Sequence, residues 1–271
     1  MKIFRWSDGH LEVTGKAESL AEASAALPDG AYTTLRTYGG RRVPRLASHH
    51  QRLQESAGRL LEAGILEAAI AFALDATAHA ESRLRVTYAP PDLFVAVEPF
   101  EPLPEDLYST GAWCVTVSAR REDPHVKDTR FLSTAQRTYA GLPAGAHEGL
   151  LVGEDGAILE GLSSNFFAVK DGRLFTEEDR VLPGITRTMV LELAGSVLPR
   201  GEGPLRVGEL GQATECFLTS VSREVLPVVR VDEVTIGDGR PGPVSRRLLR
   251  DYRAAVLTSP PISRSLPRPA G

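Results

Sequence analysis

Lysine is scarce in this chain, and one lysine stands where its amine could do chemistry. The sequence has four lysines, Lys2, Lys16, Lys127 and Lys170, among 31 lysines and arginines. Arginine supplies a fixed positive charge well, but its guanidinium stays protonated and cannot form a Schiff base. Lys127, in the segment HVKDTRF, lies between a predicted strand and an apolar stretch. It is therefore the candidate catalytic amine, and a loop lysine without a role is the competing interpretation.

Other candidate residues carry a carboxylate or favour an anion. Glu160 ends the predicted strand AILEG, and the segment PGIT (183–186) begins a predicted helix. The unpaired N–H groups and the dipole at a helix N-terminus favour an anion such as phosphate. Arg52 lies early on another predicted helix, one turn after His49. Taken singly, each has an ordinary explanation: a strand-end glutamate, a helix start and a solvated arginine.

Composition excludes several classes of protein. The chain has 271 residues and a net charge of -4, with a pI near 5.9, so it has no surplus of positive charge for nucleic acid or an anionic membrane. Cys114 and Cys216 form neither a disulfide framework nor a metal-site pattern. The first residues, MKIFRWSDGHLEV, include the charged Arg5 and Asp8, which argues against a signal peptide. No apolar run reaches membrane-spanning length. We therefore expect a cytoplasmic protein without a metal.

Periodicity and turn residues predict a mixture of helices and strands in two domains. The first half gives a strand at 31–38, a helix from Ser48 to about Gly64, a helix at 66–80, and two strands joined by PPD. The second half gives a strand, two hairpins, a helix after PGIT, two more strands and a closing helix. The segment EPFEPLPEDL (98–107) has the composition of a linker. The predicted divisions are a small domain at 1–103, a larger domain at 108–257 and a flexible tail at 258–271.

Six segments in order resemble one known family. These are GAYTTLR, HHQRL, VKDTRF, ILEGLSSNFF, LPGITR and CFLTSVSREVLPV. They resemble the class IV, or fold type IV, pyridoxal-phosphate-dependent aminotransferases, a group that includes branched-chain aminotransferases, D-amino acid aminotransferases and 4-amino-4-deoxychorismate lyases. The resemblance covers roughly residues 1–256. It implies a mixed α/β fold of a smaller N-terminal and a larger C-terminal domain with pyridoxal 5'-phosphate between them, and a homodimer.

The resemblance also implies roles for individual residues. Lys127 would hold the cofactor as a Schiff base and then move a proton at the substrate α-carbon. Glu160 would face the pyridine nitrogen and keep it protonated. The phosphate would be bound by Arg52, by the backbone N–H groups of Ile185 and Thr186, and by Val221 and Ser222.

The substrate is less clearly indicated than the chemistry. Tyr32 and Arg36 share a face of the predicted strand AYTTLR, and they are pocket candidates together with Arg85. Branched-chain enzymes tend to have a tyrosine where this chain has Leu132, and family members commonly have threonine at the position of Val221. The segment APPDL has no Arg-x-His pair of the type that D-amino acid enzymes carry.

We therefore expect a transaminase that exchanges an amino group between an amino acid, of branched-chain or D type, and a 2-oxo acid. YTTLR favours the alternative, a 4-amino-4-deoxychorismate lyase on the same fold. A catalytically inactive binding protein is a third interpretation, and Lys127, Glu160 and Arg52 together argue against it.

Overall fold

The computed structural model describes residues 1–7, 9–119, 121 and 123–264, and these residues form two compact units. The first unit contains Met1–Glu101, Val126–Arg130 and the described residues from Val256 onward. The second contains Pro102–His125 and Phe131–Ala255. Lys127 therefore belongs to the first unit, although the sequence places it within the larger domain. The predicted boundaries of independently folding domains stay a prediction.

Within the described residues, five antiparallel strands form the sheet of the first unit, in the order β2-β1-β5-β4-β3. The strands are β1 (Lys2–Ser7), β2 (His10–Lys16), β3 (Ala31–Arg36), β4 (Ser82–Ala89) and β5 (Asp92–Pro99). β3 confirms the strand predicted at 31–38, and β4 and β5 confirm the strands joined by PPD. The hairpin of β1 and β2 was not predicted.

Helices pack on both faces of this sheet. They are α1 (Leu20–Ala25), α2 (Leu46–Ala57) and α3 (Ile65–Asp75). Leu53 of α2 and Ile70 of α3 are buried against Leu84 of β4 and Val95 of β5 in one core cluster. Leu20 of α1 packs with Ile3 and Ala96 in another cluster. Because Val95 and Ala96 are adjacent in one strand, their side chains lie on opposite faces of the sheet. The helix α1 therefore covers the face opposite to the one that α2 and α3 cover.

The ends of the predicted helices need correction. α2 stops at Ala57 rather than near Gly64, because Gly58 takes a left-handed conformation with φ of 60°. The N–H groups of Gly58 and Arg59 return to the carbonyl oxygens of Glu55 and Gln54, which closes the last turn. Leu60, which lies within the predicted helix but after its observed end, is 88% exposed. α3 likewise ends at Asp75 instead of continuing to residue 80.

The second unit is built on a larger sheet. Its strands are β6 (Ala112–Val117), β7 (Glu148–Val152), β8 (Ile158–Gly161), β9 (Asn165–Lys170), β10 (Arg173–Phe175), β11 (Glu215–Ser220), β12 (Glu224–Val231) and β13 (Val234–Thr235). Its helices are α4 (Glu105–Thr110), α5 (Arg130–Ala140), α6 (Ile185–Ala194), α7 (Pro243–Leu257) and a 3-10 helix at Val207–Gln212. The first residue of α5 and the last two residues of α7 belong to the first unit. The two predicted hairpins, the helix after PGIT and the closing helix are confirmed, and α5 was not predicted.

Strand pairing closes this sheet on itself. β12 and β6, and β6 and β7, run parallel, and β8 pairs with both β7 and β9. In the described part of the chain, β9, β11, β12, β6, β7 and β8 therefore form a closed ring. The closing contact between β8 and β9 pairs Glu160 with Asn165. The candidate carboxylate thus lies at the position where the ring closes.

The predicted tail begins with residues that pack against the first unit. Ile262 is 4% exposed and belongs to the core cluster of α2 and α3. Its N–H donates to the carbonyl oxygen of Arg41 at 2.9 Å, and Arg42 Nη1 donates to the carbonyl oxygen of Ser259 at 2.6 Å. Residues up to 264 are therefore held in place, and the rest of the predicted tail lies outside the described residues.

Candidate active site

The backbone of Lys127 is fixed by β3 and α2. The N–H of Tyr32 donates to the carbonyl oxygen of Lys127 at 2.9 Å, and the N–H of Thr129 donates to that of Gly30 at 3.1 Å. The N–H of Lys127 donates to Ser56 Oγ, at the end of α2, at 3.1 Å. The lysine segment is thus hydrogen-bonded to the backbone at the start of β3, which explains why Lys127 belongs to the first unit.

The Lys127 side chain lies over an aromatic ring. Its Nζ is 4.7 Å from the centroid of the Tyr32 ring. Arg85 Cζ lies 5.1 Å from the same centroid. Aromatic faces attract cations, so Tyr32 stabilises positive charge on both side chains. This places the candidate amine at a defined position beside β3.

Helix α2 contributes two further basic side chains, His49 and Arg52, and the charges of Arg52 and Lys127 both act on His49. His49 Nδ1 and Thr33 Oγ1 are 2.6 Å apart. Burial lowers the pKa of His49 well below its usual value, and the charges of Arg52 and Lys127 lower it further, so His49 is neutral near pH 7. Burial lowers the pKa of Arg52 to about 10, which still leaves this side chain charged at neutral pH.

The predicted substrate residues share one face of the sheet. Thr34 pairs with Arg85, and Arg36 pairs with Arg83, so the side chains of Tyr32, Arg36 and Arg85 lie on the same side. Arg85 Nη1 donates to Ser24 Oγ at 2.8 Å and to the carbonyl oxygen of Leu20 at 3.1 Å, so it also holds α1.

Arg36 of that face is held by aromatic rings. Its Cζ lies 4.2 Å from the centroid of the Tyr38 ring and 4.0 Å from that of Phe100. The contacts of Arg36 and Arg85 with the protein fix both guanidinium groups. Their role in substrate binding stays a prediction.

Glu160 is a buried carboxylate surrounded by N–H donors. Its exposure is 3%. Oε1 accepts from Arg121 Nε at 2.9 Å, and Oε2 accepts from the N–H of Leu182 at 3.2 Å and from Asn165 Nδ2 at 3.3 Å. Arg121 is itself stacked on Phe131, with Cζ 3.9 Å from the ring centroid. These donors stabilise the negative charge of the carboxylate and fix its orientation.

The N-terminus of α6 has the geometry of an anion site. Gly184 is its N-cap, and no side chain of the described residues caps this end. A Cβ on Gly184 would lie 2.0 Å from Asn165 Oδ1, so only glycine fits between the helix and β9. Ile185 and Thr186 follow as buried first-turn residues, and their backbone N–H groups lie at the positive end of the helix dipole.

Val221 and Ser222 lie in the turn between β11 and β12, which is anchored by the next residue, Arg223. Arg223 Nη1 donates to Ser163 Oγ at 2.8 Å and lies 3.5 Å from Glu148 Oε2. Burial alone lowers the pKa of Arg223, but the Glu148 carboxylate and Tyr139 outweigh it and raise that pKa above its usual value. The turn is therefore tied to the segment that follows Glu160.

The sequence-predicted residues fall into two groups. Lys127, Arg52, Tyr32, Arg36 and Arg85 lie in the first unit, and Glu160, Ile185, Thr186, Val221 and Ser222 lie in the second. Sequence reasoning missed the importance of Arg121, Asn165 and the Glu148 network. The polar cluster LSSN, which begins two residues after Glu160, is the signal that could have identified Asn165. Arg121 lies 39 residues from Glu160 in sequence, so only the fold reveals that contact.

Comparison with known proteins defines the family. The family model for amino-transferase class IV matches residues 30–231. A probable branched-chain-amino-acid aminotransferase of Thermotoga maritima is 35% identical over 261 residues, covering 88% of this chain and 90% of that protein. The chain belongs to the class IV aminotransferase family, as its sequence segments indicated.

Solved structures agree with this assignment. A Thermotoga maritima crystal structure of a protein assigned to branched-chain amino acid transamination has a TM-score of 0.77 and 28% identity, covering 94% of this chain and 96% of that one. The T.th. branched-chain amino acid aminotransferase, crystallised with pyridoxamine 5'-phosphate, has a TM-score of 0.78 and 25% identity, covering 94% of both chains. The mixed α/β fold is therefore fold type IV, and the chain is a pyridoxal-phosphate-dependent transaminase.

The residues of this chain fit that cofactor. Pyridoxal phosphate presents a carbonyl carbon, a basic ring nitrogen and a phosphate dianion. The chain has a lysine amine, a buried carboxylate held by N–H donors, a glycine-capped helix N-terminus and a half-buried arginine that is charged at neutral pH. Within the described residues, no cluster of His, Cys, Asp and Glu could hold a metal ion, and no helix is long and apolar enough to cross a membrane.

Proposed function

We propose that this enzyme takes the amino group from a branched-chain amino acid, which leaves as its 2-oxo acid, and then passes it to an acceptor 2-oxo acid, which returns the enzyme to its starting form. The observation that supports it best is the family match over residues 30–231, which includes both Lys127 and Glu160. The similar Thermotoga maritima and T.th. proteins are named as branched-chain aminotransferases, and this similarity supports the branched-chain donor.

Lys127 and Glu160 have complementary roles in this proposal. When bound, pyridoxal phosphate withdraws the electron pair left by the bond broken at the substrate α-carbon. Lys127 would hold the cofactor covalently through Nζ, and its amine would carry a proton to and from the substrate α-carbon. Glu160 keeps a proton on the ring nitrogen, and its buried position excludes water that would weaken this contact.

Phosphate binding is assigned to the positive groups that the resemblance to the family indicates. Arg52 supplies a full charge, because its pKa of about 10 keeps it protonated at neutral pH. The backbone N–H groups of Ile185 and Thr186 supply the helix N-terminus, and the turn of Val221 and Ser222 adds further donors. Val221 has no hydroxyl, so its contribution is limited to the backbone.

Substrate binding is assigned to the polar face of β3 and β4. The Tyr32 ring would form a wall of the pocket beside the Lys127 amine. Arg36 and Arg85 are the candidates for contact with a carboxylate, and their fixed guanidinium groups would select its position.

The first experiment is the visible absorbance spectrum of the purified holoenzyme with separate amino donors. L-leucine, L-glutamate and D-alanine are added to separate samples, and loss of the yellow colour reports amino transfer to the cofactor. Bleaching by L-leucine supports the proposal, and bleaching by D-alanine alone replaces it with a D-amino acid enzyme. A colourless protein that takes up no added cofactor would contradict the whole assignment.

A 4-amino-4-deoxychorismate lyase is the alternative, favoured by the segment YTTLR, while Leu132, at a position where branched-chain enzymes tend to have a tyrosine, argues against a branched-chain donor. The two activities differ in product, because the lyase releases pyruvate and needs no 2-oxo acid. Pyruvate released from 4-amino-4-deoxychorismate, with no bleaching by any of the amino donors, would support the lyase.

The role of Lys127 is tested against a matched lysine. Lys127→Ala should reduce turnover at least a thousandfold and remove the covalent link that borohydride reduction traps. Lys170, paired with Glu209 at 2.5 Å, is the control, and Lys170→Ala should retain activity. Near-normal turnover by Lys127→Ala would remove this residue from the mechanism.

The proposal also includes a homodimer, which the resemblance to the family supports, and a location in the cytoplasm, which the composition of the chain supports. Light scattering of the purified holoenzyme gives the mass directly, and a monomer that is fully active would contradict the dimer.

A further inference from the structure

The closure of the ring in the second unit depends on a contact between an amide and a carboxylate. Glu160 of β8 and Asn165 of β9 are opposite each other in the antiparallel pairing. Opposite residues place their side chains on the same face, and here Asn165 Nδ2 reaches Glu160 Oε2 at 3.3 Å. The strand pairing and the side-chain contact therefore involve the same two residues.

Asn165 also holds the segment that precedes α6. Its Nδ2 donates to the carbonyl oxygen of Leu182 at 2.8 Å, while the N–H of Leu182 donates to Glu160 Oε2 at 3.2 Å. Both neighbours of Nδ2 are acceptors, so the amide must present its NH2 group to them. The three residues form a closed cycle of hydrogen bonds around one carboxylate oxygen.

The other end of the same amide contacts the helix N-terminus. Asn165 Oδ1 lies so close to Gly184 that a Cβ on the glycine would be 2.0 Å away. Asn165 is 5% exposed and Glu160 is 3% exposed, so water does not compete for these contacts. One side chain therefore fixes both the carboxylate and the start of α6.

We infer that Asn165 is a positioning residue that orients the Glu160 carboxylate toward the cofactor ring nitrogen and sets its distance from the N-terminus of α6. The inference rests on the proposed function of Glu160. Loss of the Nδ2 donor leaves Oε2 with fewer donors and lets the carboxylate rotate. Removal of partners that orient a functional group typically costs about 10- to 100-fold in activity or affinity.

The test compares Asn165→Leu, which keeps the size but removes both polar atoms, with a control at the same depth. Thr176 is 4% exposed, and its hydroxyl donates to the carbonyl oxygen of Phe166 at 2.8 Å, next to Asn165. Thr176→Val loses a buried hydrogen bond without touching Glu160. We expect kcat to fall by about 10- to 100-fold in Asn165→Leu with KM for the amino donor within threefold of wild type, and both constants to stay near wild type in Thr176→Val.

A double mutant shows whether Asn165 acts through Glu160. We expect Glu160→Gln combined with Asn165→Leu to be no slower than Glu160→Gln alone, because the second change has nothing left to orient. If the rate of the double mutant instead falls by the product of the two single-mutant losses, the inference is overturned. A Glu160→Gln variant with wild-type rate would contradict the role of Glu160 itself, and slowing by Asn165→Leu in that case would show that Asn165 acts elsewhere.

A spectroscopic measurement separates positioning from general stability. The absorbance of the bound cofactor is followed as a function of pH, and Asn165→Leu and Glu160→Gln should shift the midpoint in the same direction. If Asn165→Leu does not fold, Asn165→Ser replaces it in both experiments. A variant at 165 with an unchanged midpoint and kcat within threefold of wild type would make Asn165 a structural residue only.

Discussion

The backbone of Tyr32 and the backbone of Lys127 are joined by a hydrogen bond of 2.9 Å, and the Lys127 amine lies 4.7 Å from the centre of the Tyr32 ring. One residue of β3 therefore holds both ends of the candidate catalytic lysine. The backbone contact survives any substitution at position 32 except proline, whereas the ring contact depends on the side chain. Substitutions at this position can separate the two contributions.

Tyr32→Leu should slow the reaction, because the amine loses the aromatic face that stabilises its charge and holds its position. A desolvated cation–π contact is worth about 2 kcal/mol, or roughly 30-fold in rate if all of it serves catalysis. Tyr32→Phe keeps the ring and should retain kcat within a few-fold. Equal losses in the two variants would show that the hydroxyl matters and the ring contact does not. The measurement is kcat at saturating cofactor and donor.

His49 should make the protein less stable in acid. Its pKa is lowered well below the usual value in the folded state by burial and by the charges of Arg52 and Lys127. Below about pH 6.5 the unfolded chain binds a proton at this residue and the folded chain does not, so stability falls as pH falls. The loss grows by up to about 1.4 kcal/mol per pH unit until the folded pKa is reached.

Urea unfolding of wild type and His49→Gln between pH 8 and pH 5 measures this effect. The substitution removes the titrating ring, so the variant should lose less stability than wild type as the pH falls from 6.5 to 5. Other titrating groups are common to both proteins and cancel in the difference. Parallel curves for the two proteins would show that His49 accepts a proton in the folded state as readily as in the unfolded one.

Gly184→Ala should damage the start of α6. The added Cβ would meet Asn165 Oδ1 at 2.0 Å, so the Asn165 side chain or the helix N-terminus must move. Because the first-turn N–H groups are the proposed phosphate donors, cofactor affinity should fall at least tenfold, measured by fluorescence titration. Gly208→Ala is the control, since a Cβ there would meet no described atom within 4 Å, and it should bind cofactor as wild type does. Equal affinity in both variants would mean that the phosphate is not bound at this helix end.

The local elements of this fold were predictable where turn residues and alternation agree. The hairpins of β7 with β8 and of β9 with β10 follow from short Gly-containing turns between apolar strands. The end of α2 was misjudged because Leu60 and Leu61 continue its apolar spacing, while the backbone leaves the helix at Gly58. α5 was missed although Phe131, Ala135 and Tyr139 recur at helical spacing and pack together on one face of the helix.

The candidate site was predictable in its residue types but not in its surroundings. Lys127 and Glu160 could be identified in the sequence because few other residue types can supply the amine for a Schiff base or the carboxylate for the pyridine nitrogen. The contact of Glu160 with Arg121 spans 39 residues, and its contact with Asn165 depends on the closure of the ring of strands. Such contacts are set by tertiary packing, which periodicity along one segment does not encode.

The ion pair of Arg223 and Glu148 should contribute strongly to the stability of the second unit. Glu148 is fully buried, and it accepts from Ser164 Oγ at 2.8 Å as well as from the hydroxyl of Tyr139. Arg223→Met leaves this carboxylate without its cation. Removal of one partner of a buried pair costs about 3 to 5 kcal/mol, because the remaining charge stays desolvated.

Urea unfolding should therefore show a loss of about 3 to 5 kcal/mol for Arg223→Met, and a smaller loss when Glu148→Gln is added, since the uncompensated charge is then gone. Arg247, which lies 3.4 Å from Asp251 on the exposed side of α7, is the control. Arg247→Met should cost no more than about 0.5 kcal/mol, as expected for a solvent-exposed pair on a helix. A loss for Arg223→Met as small as that of the control would mean that water reaches Glu148 and that the network does not fix the turn of Val221 and Ser222.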